Sequence, residues 1–347
     1  MYQKKLLPKC IPPITSYQQI ALPLSVIMLN DTASNWFYSN YIQVSCVNRM
    51  HYSIKGNKDN ALHYTFYTPD MTYFEPADQI CIKGCKQLEF FENFGFIRNM
   101  IDSGWYIYTE ADMFYIDYSD GFGYAHYPHD LLIYGYDDHS IYIYMYDQYK
   151  LTEHIVDYRN FLQGYYSIFC DNKTYRNRTI LLKPNCRDFL VNVEKIRWYI
   201  QDYLNGTESF ARERPNVFNP DSLTMNGVET YKEFDDLINH ALKNEYKLLR
   251  RPDLYCFYEH KKVMFERVVY LKDNRFLAAS DNLVEEFKTI KKQAENLMFL
   301  GLKIKTMNNP DRQNVTLLKM RDILKEIKEL EVITWNRFIE ENRGELG

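Results

Sequence analysis

A chain of 347 residues, 46% hydrophobic and 25% charged, can bury a sizeable core, and its length admits two domains of ordinary size. Its formal net charge is −4 and its basic residues are scattered, so it lacks the electrostatic footprint of a nucleic-acid binder. The seven cysteines share no repeated pair spacing, which argues for free thiols and a reducing, cytoplasmic location.

At the N-terminus, Pro8, Pro12, Pro13 and Pro23 interrupt the apolar residues, so neither a signal peptide nor a membrane span is expected, and no membrane partner. The first predicted helix runs from Ser34 to Val47, with Phe37, Tyr41, Val44 and Val47 at helical spacing and Asp31, Thr32 and Ser34 placed to cap it. A second helical region lies within 78–100, broken at Gly84 and Gly95. From Trp105 the period changes to two. WYIYT and MFYIDY read as a hairpin turning at Glu110, Ala111 and Asp112, and DLLIYGY and SIYIYMYD as another turning at Asp137, Asp138 and His139. Between the two lies SDGFGYAHYPH, where Gly121 and Gly123 permit sharp bends.

After residue 185 the pattern becomes helical. Val193, Ile196, Trp198, Ile200 and Leu204 predict a helix stopped at Asn205-Gly206, and further helices are expected at 229–249, 253–273, 281–305 and 311–342. Lys247, Arg250 and Arg251 read as the positive end of a helix that Pro252 terminates. The last helix carries a stripe from Leu317 through Ile323, Ile327 and Ile333 to Trp335, the pattern of a core or partner face. The expected fold class is α+β: an antiparallel sheet with an N-terminal helix over 1–185, followed by a mainly helical domain over 186–347.

The strongest chemical signal is His129. If it opens one strand and Asp147 closes the next, the turn near Asp138 returns both to one end of the sheet, where a carboxylate can orient an imidazole for general-base work. The run from His129 to Asp138, HDLLIYGYDD, followed by an apolar strand ending in Asp147, resembles the histidine and aspartate half of papain-like cysteine peptidases of the bacteriocin-processing type. It more closely resembles the N-terminal domain of the butirosin biosynthesis protein H family, over roughly residues 20 to 170.

That resemblance implies a papain-like fold and acyl or aminoacyl transfer from a carrier protein's phosphopantetheine thioester to an amine, as in amide formation during thiotemplated, nonribosomal natural-product assembly. It implies an acyl or peptidyl carrier protein and a small amine as partners, no cofactor bound by the protein itself, His129 as base and Asp147 as orienter. The chain departs from the pattern at the nucleophile. The expected helix start, NDTASNWFYSN, has no cysteine. Ser34 is the hydroxyl available there, with Asn35 and Trp36 beside it as substrate contacts. Cys46 would sit about 18 Å further along such a helix.

A mechanism without an enzyme nucleophile remains open, because a carrier-bound thioester is already activated. His129 is then still the base, and His126 and Tyr124 are expected to contact substrate. In YEHKKVMFER, Glu259, Lys262 and Glu266 suit an exposed ion-pair ladder; if the helix faces a cleft, Glu259 and His260 contact substrate instead. No metal is expected. Asp112, Asp117 and Asp120 lack the order of a calcium loop and suit turn capping, His126 and His129 lack a third ligand, and Cys81 and Cys85 lack a second pair. The 31 tyrosines and 21 phenylalanines fit either the codon bias of an AT-rich genome or the lining of an amphipathic groove. Two rival functions stay open: a non-catalytic degenerate peptidase-fold module that binds a carrier protein or peptide, and a hydrolase working through Cys46.

Overall fold

The computed structural model describes residues 4–48, 62–66, 75–82, 85–147, 150–170, 179–209, 224–243 and 250–346. The chain divides into two compact units, Met1–Ala33 with Asp70–Phe189, and Ser34–Pro69 with Leu190–Gly347. Sequence reading placed one border after residue 185; instead 34–69 belongs with the C-terminal half.

Helix α1, Gln18–Ile27, belongs to the first unit, and eight of its ten residues are buried. It was not expected, because Pro23 was counted as an interruption, yet the proline is accommodated inside the helix. The predicted helix from Ser34 to Val47 is in fact two elements, both in the second unit from Ser34 on: α2, Ala33–Ser39, and strand β2, Val44–Asn48. The reason for the break is tertiary. The buried Arg267 guanidinium donates to the carbonyls of Tyr38 and Tyr41 just where the helix would continue. Cys46 is therefore a fully buried strand residue.

Strands of the first unit are β1 (Lys5–Leu6), β4 (Ala77–Ile82), β5 (Tyr106–Asp112), β6 (Pro128–Tyr136), β7 (Ser140–Asp147), β8 (Lys150–Asp157) and β9 (Thr179–Pro184). They form an antiparallel sheet in the order β4-β9-β5-β6-β7-β8, with β1 added against β6. At that addition a Cβ on Gly135 would sit 2.6 Å from the Lys5 carbonyl oxygen, so the absent side chain is what lets β1 approach. The predicted turn at Asp137 is present: its carboxylate accepts from the amides of His139 and Ser140.

The predicted hairpin at 110–112 is not present. β5 runs through to Asp112 and pairs with β6 across a loop of residues 113–127, in which Met113 and Ile116 turn fully into the core. Alternation along the strands sorts the sheet into two faces. Ile107, Leu131, Ile133, Ile143 and Met145 join one core cluster. That cluster includes Ile97 and Ile101 of α4 (Phe94–Asp102) and Phe161 and Tyr165 of α5 (Tyr158–Cys170); helix α3 (Cys85–Glu92) supplies Phe91. Helix α1 packs on the opposite face.

The second unit holds a small antiparallel sheet, β10 (Thr224–Asn226), β2 and β3 (Leu62–Phe66), and is otherwise helical. Helix α6, Val193–Asn205, ends at Gly206 in the left-handed region as its sequence predicts. Helices α7 (Thr230–Ala241), α8 (Arg251–Asp273), α9 (Asp281–Ile304) and α10 (Pro310–Glu341) follow, with a short α11 at Arg343–Leu346. Lys247 and the rest of the expected 244–249 segment lie outside the described residues. Ile333, expected on the buried stripe of α10, is instead 54% exposed.

The molecule is thus a mixed α+β protein with an N-terminal sheet region flanked by helices and a mainly helical C-terminal part. Among the described residues, no helix is long and apolar enough to cross a membrane.

Candidate active site

The pairing of β6 with β7 matches Leu131 to Met145 and Ile133 to Ile143. Carried two residues further, the same register sets His129 across from Asp147. On its other side His129 pairs with Ala111 of β5, and Asp147 pairs with Lys150 of β8. The expected fold-back is therefore present: imidazole and carboxyl residue share one end and, by alternation, one face of the sheet.

The two side chains are not hydrogen-bonded to each other. Nδ1 of His129 is buried with no hydrogen-bond partner. Burial holds this imidazole below its ordinary range, against the opposing charges of Asp130, Asp147 and Asp120 and a contact with the Asp130 backbone, so the ring is neutral near pH 7. Asp147 instead faces His154, with Oδ2 3.8 Å from Nε2, and that nitrogen lies 2.8 Å from the Thr152 hydroxyl. Tyr118, which has a positive φ of 71°, stacks over His154.

A better-formed imidazole–carboxylate pair stands three residues before His129. Nδ1 of His126 lies 2.8 Å from Oδ2 of the buried Asp112. The same oxygen accepts from the Ser167 hydroxyl at 2.7 Å, and Oδ1 accepts from the amides of Phe114 and Tyr127, both at 3.1 Å. Burial alone would raise the Asp112 carboxyl, but the bonds from His126, Ser167 and Phe114 together hold it below the usual range. The His126 ring lies flat on Phe114 with centroids 4.1 Å apart, and its side chain is 58% exposed. Sequence reading gave Asp112 only a capping role, which it does perform through the two amides. The pairing with His126 was missed because 14 residues separate them, and only the match of Asp112 to Pro128 across the ladder shows that the loop closes there.

The ring of Tyr124 is 75% exposed on the same loop. Ser34, Asn35 and Trp36 fall in the second unit and so do not share a compact unit with His129 and Asp147. There Asn35 accepts from the Tyr270 hydroxyl at 2.7 Å and Trp36 is buried. Glu259 and His260 are buried in α8; His260 donates Nε2–H to the Ile42 carbonyl at 2.8 Å, and Lys262 pairs with Glu266 as the ladder predicts. At the start of α1, Gln18 donates to Asp130 of β6 at 2.9 Å, and Tyr108 of β5 donates to the other carboxylate oxygen at 2.7 Å. Residues 15–17, leading into α1, contain no cysteine.

The described cysteines Cys10, Cys46, Cys81, Cys186 and Cys256 form no disulfide. Among the described residues, no group of three or more histidine, cysteine or acidic side chains is placed to hold a metal ion. A separate cleft of about 290 Å³ in the second unit, beside Tyr231 and Arg321, contains none of the expected site residues. A scan against protein-family models finds no match for the chain, and a search of curated proteins finds no relative.

Proposed function

We propose that the first unit is a papain-like domain of the butirosin biosynthesis protein H type. It transfers an acyl or aminoacyl group from the phosphopantetheine thioester of a carrier protein to a small amine, in cytoplasmic natural-product assembly. The observation that carries the reading is the register of β6 with β7, which brings His129 and Asp147 to the same end and face of one sheet. The neutral imidazole of His129 is in the form a general base needs.

In this scheme the amine nitrogen attacks the thioester carbonyl carbon. The C–N bond forms, the C–S bond breaks, and one nitrogen-bound proton passes through His129 to the departing sulfur, giving an amide and a free thiol. Asp147 supplies negative charge beside the imidazolium. The protein contributes no covalent nucleophile, in keeping with the lack of a cysteine at residues 15–17 and with the burial of Cys46. The sequence from 99 to 149 contains nine aspartates and glutamates and neither lysine nor arginine, which favours arrival of a cationic amine.

The test is transfer from an acetyl-loaded acyl carrier protein to a panel of alkylamines, comparing wild type with His129→Ala. A loss of about 10²-fold is expected from removing a general base, and equal rates would take His129 out of the chemistry. The missing His129–Asp147 hydrogen bond favours a second reading, a degenerate fold that only binds the carrier. Saturable carrier binding without turnover, unaffected by Asp147→Asn, would select it.

A further inference from the structure

An alkylamine titrates near 10 and so reaches the protein at pH 7 as its ammonium form. To become an amide, that nitrogen must lose two protons: ammonium plus acyl thioester yields amide, thiol and one released proton. One proton returns to the departing sulfur and the other must reach water. His129, with its buried Nδ1, suits the internal transfer.

The geometry points to His126 as a further catalytic residue, the base that takes the first proton from the substrate ammonium and releases it to solvent. This inference rests on the acyl-transfer reading. A carboxylate only accepts, so Nδ1 of His126 carries the hydrogen toward Asp112 and the lone pair sits on Nε2 of a ring that is 58% exposed. The pair is held on every side: Ser167 of α5 and two loop amides fix Asp112, and Phe114 lies flat under the imidazole. The groups facing the ring are Asp112 and Tyr115, the second at 5.9 Å between centroids. The absence of lysine and arginine from 99–149 leaves no competing cation in that stretch. Tyr118, Phe122 and Tyr124, all exposed on this loop, offer aromatic faces that attract an ammonium group. A tether serving only to tie down the loop would need the Nδ1–H bond and not a side chain that is more than half exposed.

His126→Asn separates the two roles, since its side-chain amide can still donate to Asp112 but has no basic nitrogen. Transfer from acetyl-loaded carrier protein is measured at pH 7 with an alkylamine and with methoxyamine, which is already neutral at that pH. The expected result is a loss of at least about tenfold with the alkylamine and rates within about twofold of wild type with methoxyamine, with the melting temperature unchanged. Equal losses with both nucleophiles, or no loss with the alkylamine, would overturn the assignment while leaving the His129 chemistry standing. A wild-type protein that transfers to neither nucleophile would overturn the acyl-transfer reading, and this assignment with it. Should near-UV circular dichroism show that His126→Asn has lost the fold, His126→Gln provides the same comparison.

Discussion

Glu331 of α10 stands at the centre of a buried charge network in the second unit. Its carboxylate is buried and receives Lys261 at 3.0 and 2.8 Å, Tyr203 at 2.7 Å and Tyr231 at 2.6 Å. Lys261 is itself fully buried; burial lowers its ammonium pKa, and Glu331 is the charge that opposes this. In Glu331→Gln the lysine loses its counter-charge. Shedding its proton at pH 7 costs about 1.36 kcal/mol for each of roughly 3.4 pH units, so the penalty is capped at about 4.6 kcal/mol. Breaking a buried pair by removing one partner typically costs about 3–5 kcal/mol, so about 3 kcal/mol is expected here. Lys261→Met should cost on the order of 2–3 kcal/mol, because two tyrosine hydroxyls still satisfy the carboxylate. The double variant removes both charges and keeps an amide oxygen for the tyrosines, so it should be more stable than either single variant. Urea unfolding followed by tryptophan fluorescence reads mainly this unit, since three of the four tryptophans, Trp36, Trp198 and Trp335, belong to it. Additive losses, or a single-variant cost under about 1 kcal/mol, would refute the view that charge pairing holds these helices together.

His260 gives a pH test in the same unit. Burial, then the charge of Lys261, holds its imidazole well below 6.5 and so neutral in the fold. Below pH 6.5 the unfolded chain takes up a proton that the folded chain refuses, so stability is full above that pH and falls as pH drops through it, by up to about 1.4 kcal/mol per unit. Urea midpoints of wild type and His260→Gln between pH 7.5 and 5.5 check this, and identical slopes would contradict it. Thiol labelling of the native protein should modify the exposed Cys81 and Cys186 and spare the buried Cys46 and Cys256. Peptide mapping reads the result, and rapid alkylation at Cys46 would revive a cysteine hydrolase.

Helices α6, α8, α9 and α10, the turn at Asp137 and strands β6 and β7 were legible in the sequence, because repeats of two or 3.6 and the preferences of capping and turn residues act over a few neighbours. The shared sheet end of His129 and Asp147 followed from one hairpin, which is also a local device. Tertiary structure decided the rest. It stopped α2 at Ser39 through an arginine more than 200 positions away, turned Met113 and Ile116 into the core where alternation promised a strand, and assigned 34–69 to the second unit. It also chose His154 as the partner of Asp147 and Asp112 as that of His126. Contacts between distant residues depend on where each ladder ends and which face a helix covers, and no short window of residues carries that information.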